Sequence, residues 1–168
     1  MPQRLRQLEN WLERSCQLSD YRIAPASADA SFRRYFRVTL ADGSTRVVMD
    51  APPDKEDCRP FVEVAERMRQ AGLHVPTVIA RDLEQGFLLL EDLGSTDYLS
   101  VLTNDTVESL YADATAALLR LQSNGLVVGL PPYDRALLLR EMQLFPCLLY
   151  TSDAADDFAV VLFSVGGG

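Results

Sequence analysis

"ASADASFRRYFRVTLADGSTRVVMD" (Ala26–Asp50) is the stretch on which the fold turns. Phe36, Val38 and Leu40 alternate with Arg37 and Thr39, the period-two pattern of a strand with one dry and one wet side. "ADGS" (Ala41–Ser44) carries the Asp-Gly signal of a tight reversal, and "TRVVMD" (Thr45–Asp50) reads as the returning strand. With an earlier strand around Tyr21–Ala26, residues 21–50 form a three-stranded antiparallel meander. Outward from it, Leu5, Leu8, Trp11, Leu12 and Cys16 recur at helical spacing and predict an opening helix of about residues 3–18. "APPD" stops the meander. A helix from about Glu56 to Ala71 follows, with Phe61, Val64, Ala65 and Met68 on one face and Gly72 as its stop. "HVPTVIARD" and "QGFLLLEDLG" read as two further strands. "TVESLYADATAALLRLQSNG" is a helix with Leu110, Ala114, Ala117, Leu118 and Leu121 along one side, and Pro131 and Pro132 open a last one. Strands gathered first and helices after argue an α+β fold rather than a parallel βαβ sheet.

The chain has 168 residues, 48% of them apolar and 24% charged, with a formal charge of −8. That is the composition of an ordinary globular domain. A net acidic chain with no basic block is poorly suited to nucleic acid, where neutralising phosphates supplies most of the affinity. Of its 16 basic residues 15 are arginine and one, Lys55, is lysine, which points to a GC-rich, bacterial coding sequence. Cys16, Cys58 and Cys147 have no metal or redox spacing and are expected to be inert thiols in a reducing compartment. No apolar run approaches the ~20 residues that cross a bilayer, so no membrane partner is expected. "MPQRLRQLENWLERS" lacks the apolar segment of a signal peptide, and the expected location is the cytoplasm.

Five antiparallel strands with one helix after the third, leading into helices, is the layout of a kinase-like nucleotide-binding lobe. "DASFRRYFRV", "VVMDAPP", "DCRPFV", "GLHVP", "GFLLLEDLG" and "PPYDRALLLREMQLF", in that order and spacing, resemble the aminoglycoside-phosphotransferase family. Within it they resemble most the bacterial anomeric kinases that phosphorylate N-acetylmuramate and N-acetylglucosamine in cell-wall recycling. The resemblance implies a nucleotide-binding lobe with its leading helix over residues 1–92, and a hinge with the start of a helical lobe over 93–146. It also implies ATP and Mg2+ as cofactors and a small sugar as acceptor of the phosphoryl group. An aminoglycoside or other alcohol as acceptor, or a non-catalytic nucleotide-binding scaffold, are the alternatives.

On this resemblance the loop Ala26–Arg34 covers the ATP phosphates. Ser27, Ser31 and backbone N–H groups would bind phosphate oxygens, Arg33 or Arg34 would add charge, and Ser31 is the leading candidate. Residues alone fit equally an ordinary solvated turn with exposed arginines. The backbone of Glu91, Asp92 and Leu93 would meet the adenine edge, with Ile23, Val38 and Val48 flanking the ring. Kinases carry a lysine on the third strand, paired with a carboxylate on the next helix. Here Met49 and Asp50 fill that place. Glu63 and Glu66 are therefore expected to be solvated helix-face carboxylates, and His74, the sole histidine, a structural residue.

The resemblance further implies an H-x-D-x-x-x-x-N loop and a D-F-x-D segment that supply the catalytic base and the metal ligands. Neither is in this sequence, so no catalytic residue and no metal ligand is assigned, and the chain is expected to be an inactive fragment. After Arg140 no basic residue occurs and the amphipathic period stops. Read back through codons, "CLLYTSDAAD" (Cys147–Asp156) fits a transposase-end adaptor used in sequencing libraries. Residues 147–168 are accordingly expected to be a non-native tail.

Overall fold

The computed structural model describes residues 2–28 and 32–150, without the side chains of residues 2, 27, 28 and 144–150. Helix α1 (Pro2–Arg14) leads into β1 (Arg22–Ala28), β2 (Arg34–Thr39) and β3 (Thr45–Asp50). Helix α2 (Arg59–Gln70) precedes β4 (Val78–Asp82) and β5 (Phe87–Glu91). Helices α3 (Tyr98–Val101), α4 (Val107–Asn124) and α5 (Arg135–Tyr150) complete the chain. The five strands form one sheet in the order β1-β2-β3-β5-β4, every neighbouring pair antiparallel. The expected α+β lobe, five antiparallel strands with a helix after the third, is present.

The β2–β3 reversal is closed by local chemistry. The Asp42 carboxylate accepts from the Ser44 N–H at 2.8 Å and from its hydroxyl at 2.7 Å, while Gly43 takes the positive φ of 83° that the turn demands. At the β4–β5 turn Gly86 is required by close approach as well as by φ. Its carbonyl accepts from the Ala51 N–H at 2.8 Å, and a Cβ there would lie 1.8 Å from the Ala51 carbonyl oxygen.

Two dry layers sandwich the sheet. Leu8, Trp11 and Leu12 of α1 pack with Val38, Val48, Phe87 and Leu89; Met49, Ala51, Cys58, Leu88 and Leu90 form the layer beneath α2, with Phe61 and Val62 against them. Each large apolar side chain so buried contributes roughly 1.5–3 kcal/mol relative to exposure. β5 lies between β3 and β4 and is covered on both sides, which explains the unbroken apolar run Phe87–Leu90 where an edge strand would alternate. Burial pushes the Cys16 thiol up to about 11, so it is protonated and unreactive at neutral pH.

Boundaries depart from the sequence pattern where proline and capping chemistry intervene. α2 begins at Arg59, with Pro60 in its first turn, and shows Val62 rather than Val64 to the core; Val64 is exposed. α3 was not foreseen: it is a single turn capped by the Asp97 carboxylate, which accepts from the Ser100 N–H. On α4, Leu110, Ala117 and Leu121 are half-buried, whereas Leu118 is exposed. α5 starts at Arg135, beyond Pro131 and Pro132, where the Asp134 carboxylate accepts from the Leu137 N–H, and it continues through Cys147 to Tyr150. The chain separates into two compact units, one ending at Leu126 and the other beginning at Val127. In the first, α4 is tied to the end of α2 by Asn124 donating to the Ala71 carbonyl at 3.3 Å and by Arg67 donating to the Leu126 carbonyl at 3.0 Å. Among the described residues, no helix is long and apolar enough to cross a membrane.

Asp50, at the end of β3, has no exposed surface, and the guanidinium of Arg4 from α1 donates to it at 2.9 Å while that of Arg34 from β2 holds its second oxygen. Arg4 also donates to the Gln85 carbonyl in the β4–β5 turn and stacks 4.3 Å from the centre of the Phe87 ring. Asp50→Asn leaves two guanidinium groups without their counter-charge. It is expected to cost about 2–3 kcal/mol in urea unfolding followed by Trp11 fluorescence, below the ~3–5 of a wholly buried pair because both arginines keep some contact with water. A loss under about 0.5 kcal/mol, the size of an ordinary surface substitution, would contradict this reading of the pair.

Candidate functional site

Strand register sorts the expected site residues onto opposite sides of the sheet. Asp50 pairs with Arg34, Val48 with Phe36 and Val38 with Ile23, and these side chains lie on the α1 side. Met49 pairs with Tyr35, Val47 with Arg37 and Leu90 with Val47, and these lie on the α2 side. A row Ala24, Arg37, Val47 and Leu90 thus crosses four strands on the α2 side, next to the segment that leaves β5.

The placing of Ile23, Val38 and Val48 against a bound ring is corrected by this arrangement. Val38 and Val48 have no exposed surface and are packed beneath Leu8, Trp11 and Leu12, with Ile23 beside them. A ring could reach them only by lifting α1 from the sheet. Arg34 likewise belongs to the α1 side, its guanidinium held by Asp50 and lying 5.7 Å from the Phe36 ring centre. Arg33 has a different setting: its guanidinium is 3.5 Å from the Glu56 carboxylate just ahead of α2, both side chains being largely covered. Ser27 sits in β1 opposite Tyr35, its side chain outside those described, and Ser31 lies outside the described residues.

The segment after β5 is held by one arginine that the sequence reading had passed over. The Asp92 carboxylate accepts from Arg37 Nε at 2.6 Å and Nη2 at 3.1 Å, and Arg37 also donates to the Gly94 carbonyl at 3.1 Å. Asp92 returns by accepting from the Gly94 N–H at 2.9 Å. A fork-on-carboxylate pair of this kind fixes direction as well as distance. The Glu91 N–H donates to the Thr77 carbonyl at 2.9 Å, and its carboxylate accepts from the Thr77 hydroxyl at 2.7 Å. The Thr77 hydroxyl, and the Thr77 N–H donating to the same carboxylate at 3.2 Å, hold the Glu91 carboxyl below its ordinary range. The Leu93 N–H makes no hydrogen bond among the described residues, and its side chain is half exposed. Alternation alone puts Arg37 on the wet side of β2 and gives no sign of its partner.

Met49 is fully buried against Ala51, Cys58, Leu88 and Leu90. Glu63 pairs with Arg67 and Glu66 with Arg69 along the outer surface of α2, and His74 is exposed. Lys55 stands 5.8 Å from the Phe32 ring centre. Among the described residues no group of three or more His, Cys, Asp or Glu side chains is placed to hold a metal ion, so no step through Mg2+ is assigned to them.

The hydrogen bond from Arg37, then those from the Gly94 N–H and the Thr45 side chain and last the Arg37 charge, hold the Asp92 carboxyl below the usual aspartate value. Folding therefore gains stability from Asp92 above the unfolded value near ~4, and that gain is lost as pH falls through the depressed folded value. Between pH 6 and pH 2 the protein should lose more unfolding free energy than its Asp92→Asn variant; equal losses would remove Arg37–Asp92 as a clamp on this segment.

A family model described as the phosphotransferase enzyme family matches residues 22–159. N-acetylmuramate/N-acetylglucosamine kinases are similar to this chain: that of Pseudomonas aeruginosa is 49% identical over 85% of the chain, and that of Pseudomonas putida 47% over 85%. The kinase of that name from Neisseria meningitidis serogroup B is 40% identical over 86% of the chain. The matched part is 45%, 45% and 44% of those relatives, so the chain spans under half their length. With a match over most of its length, the chain belongs to the phosphotransferase enzyme family.

Proposed function

We propose that this chain is the nucleotide-binding part of an ATP-dependent sugar kinase. The whole protein would act in the cytoplasm on N-acetylmuramate and N-acetylglucosamine, the amino sugars of cell-wall recycling. The observation that carries this reading is 40–49% identity, over 85–86% of the chain, to kinases named for these two sugars. The hinge geometry supports it. An adenine edge needs one donor and one acceptor, and the backbone of Glu91, Asp92 and Leu93 offers them, with the Leu93 N–H unengaged among the described residues and Arg37 keeping the segment in place. Ala24 and Val47, on the α2 side of the sheet and not fully buried, replace Ile23, Val38 and Val48 as the apolar wall beside the ring.

Transfer of the γ-phosphoryl group needs a base for the acceptor hydroxyl and ligands for Mg2+. This sequence contains neither expected segment, and the fragment is therefore proposed to bind nucleotide without turning it over. Residues 147–168 are proposed to be non-native, on the strength of the adaptor-like codon string and the loss of every basic residue after Arg140. The buried Met49 in place of a phosphate-binding lysine favours a second reading, a nucleotide-binding scaffold without chemistry.

One experiment separates these. The gene is sequenced from source DNA through Cys147, and the 168-residue chain is compared with the chain extended to the length of its relatives. The short form is expected to bind ATP and transfer nothing. The long form is expected to phosphorylate both sugars in the presence of Mg2+. A long form that phosphorylates aminoglycosides instead, or binds ATP without transfer to any alcohol, would replace the sugar-kinase reading; transfer by the short form alone would overturn the division of labour.

A further inference from the structure

Met49 leaves the α2 side of the sheet without the cation that a nucleotide triphosphate requires there. Its side chain is sealed under α2 by Ala51, Cys58, Leu88 and Leu90 and has no donor. Asp50, the next residue, faces the other way and is saturated by Arg4 and Arg34. Strand alternation then narrows the choice. Arg34 pairs in register with Asp50 on the α1 side, and Tyr35 pairs with Met49 on the α2 side. Arg33 lies just ahead of β2, outside the strand and beside the segment that leads into α2. Its partner there is Glu56, at 3.5 Å, in the segment leading into α2.

We propose that Arg33 and Glu56 together replace the missing lysine–carboxylate pair, with Arg33 gripping the phosphates of the nucleotide and Glu56 orienting the guanidinium. The proposal rests on the nucleotide-binding reading above. A guanidinium is charged at every accessible pH and presents a planar fork of donors, so it holds phosphate oxygens in pairs where an ammonium holds one. With Glu56 only 18% exposed, its carboxylate can steer that fork without competing strongly through solvent, and Arg33, at 29%, retains an open side. Arg34 drops out as the gripping residue because its role is fixed by Asp50. Glu63 and Glu66, which point along the outer face of α2 to Arg67 and Arg69, drop out as its carboxylate partner.

The test is calorimetric titration of the purified chain with ATP and, separately, with adenosine. A phosphate grip predicts a split between the two ligands that a folding role does not. Arg33→Met should weaken ATP at least ~10-fold, the loss of one charge-assisted contact, and leave adenosine within ~2-fold. Arg33→Lys should recover part of the ATP affinity, and Glu56→Gln should weaken ATP by roughly threefold with adenosine unchanged. Should Arg33→Met not fold, the Lys and Gln variants carry the same split. Unchanged ATP affinity in these variants, or an equal loss for ATP and adenosine, overturns the proposal while leaving the nucleotide reading intact. Failure of the unsubstituted chain to bind either ligand overturns both.

Discussion

Asp50 is a carboxylate sealed from water at the end of the central strand, and the geometry of the lobe follows from the two arginines that satisfy it. A buried charge is tolerated only when paired and hydrogen-bonded. Arg4 can reach it only if α1 lies across one particular face of the sheet, and Arg34 only if β2 begins with that residue turned to the same face. The pair therefore decides which face is closed. Arg4 extends the tie to the β4–β5 turn through the Gln85 carbonyl and to the core through the Phe87 ring, so one cluster joins α1, β2, β3 and the turn before β5. The opposite face is left to α2, Met49 and the segment after β5.

Much of this was legible in the residues. The Asp-Gly reversal, the heptad-like spacing of Leu5, Leu8 and Leu12, and the apolar run Phe87–Leu90 each carry a local cause, and each element formed as its cause requires. The face of the sheet was not legible. Alternation marks two sides of a strand but does not label them, and "VVM" offers apolar residues to both. Val48 and Val47 differ by one position and by everything that position implies, because the decision is made by Asp50 and Arg4, 46 residues apart. Ile23, Val38 and Val48 were therefore read as open to a ring when α1 covers them, and Arg33 and Arg34 were read together although Glu56 holds one and Asp50 the other. Arg37 escaped notice for a similar reason: its partner Asp92 is 55 residues away, and nothing near it in sequence announces the contact.

The absence of a lysine on β3 looks at first like the mark of a dead lobe. Physically, what the triphosphate requires is a fixed positive charge beside its oxygens, not a lysine at one address. Met49 fills the address with core, and the Arg33 guanidinium stands 3.5 Å from the Glu56 carboxylate just ahead of α2. In the segment after β5 a single guanidinium, Arg37, holds both Asp92 and Gly94, and the Leu93 N–H makes no hydrogen bond among the described residues. The chain spans under half the length of the curated relatives it matches.

The central claim is that the lobe grips a nucleotide on its α2 side and is closed by α1 on the other. Amide chemical-shift mapping by two-dimensional NMR, with ATP titrated into the isotopically labelled chain, tests it most directly. The account predicts shifts that concentrate at Arg33, Glu56, Val47 and Leu93 and leave Leu8, Trp11, Ile23 and Val38 in place. Shifts centred on α1 and the residues beneath it, with Leu93 and Arg33 unmoved, would contradict it.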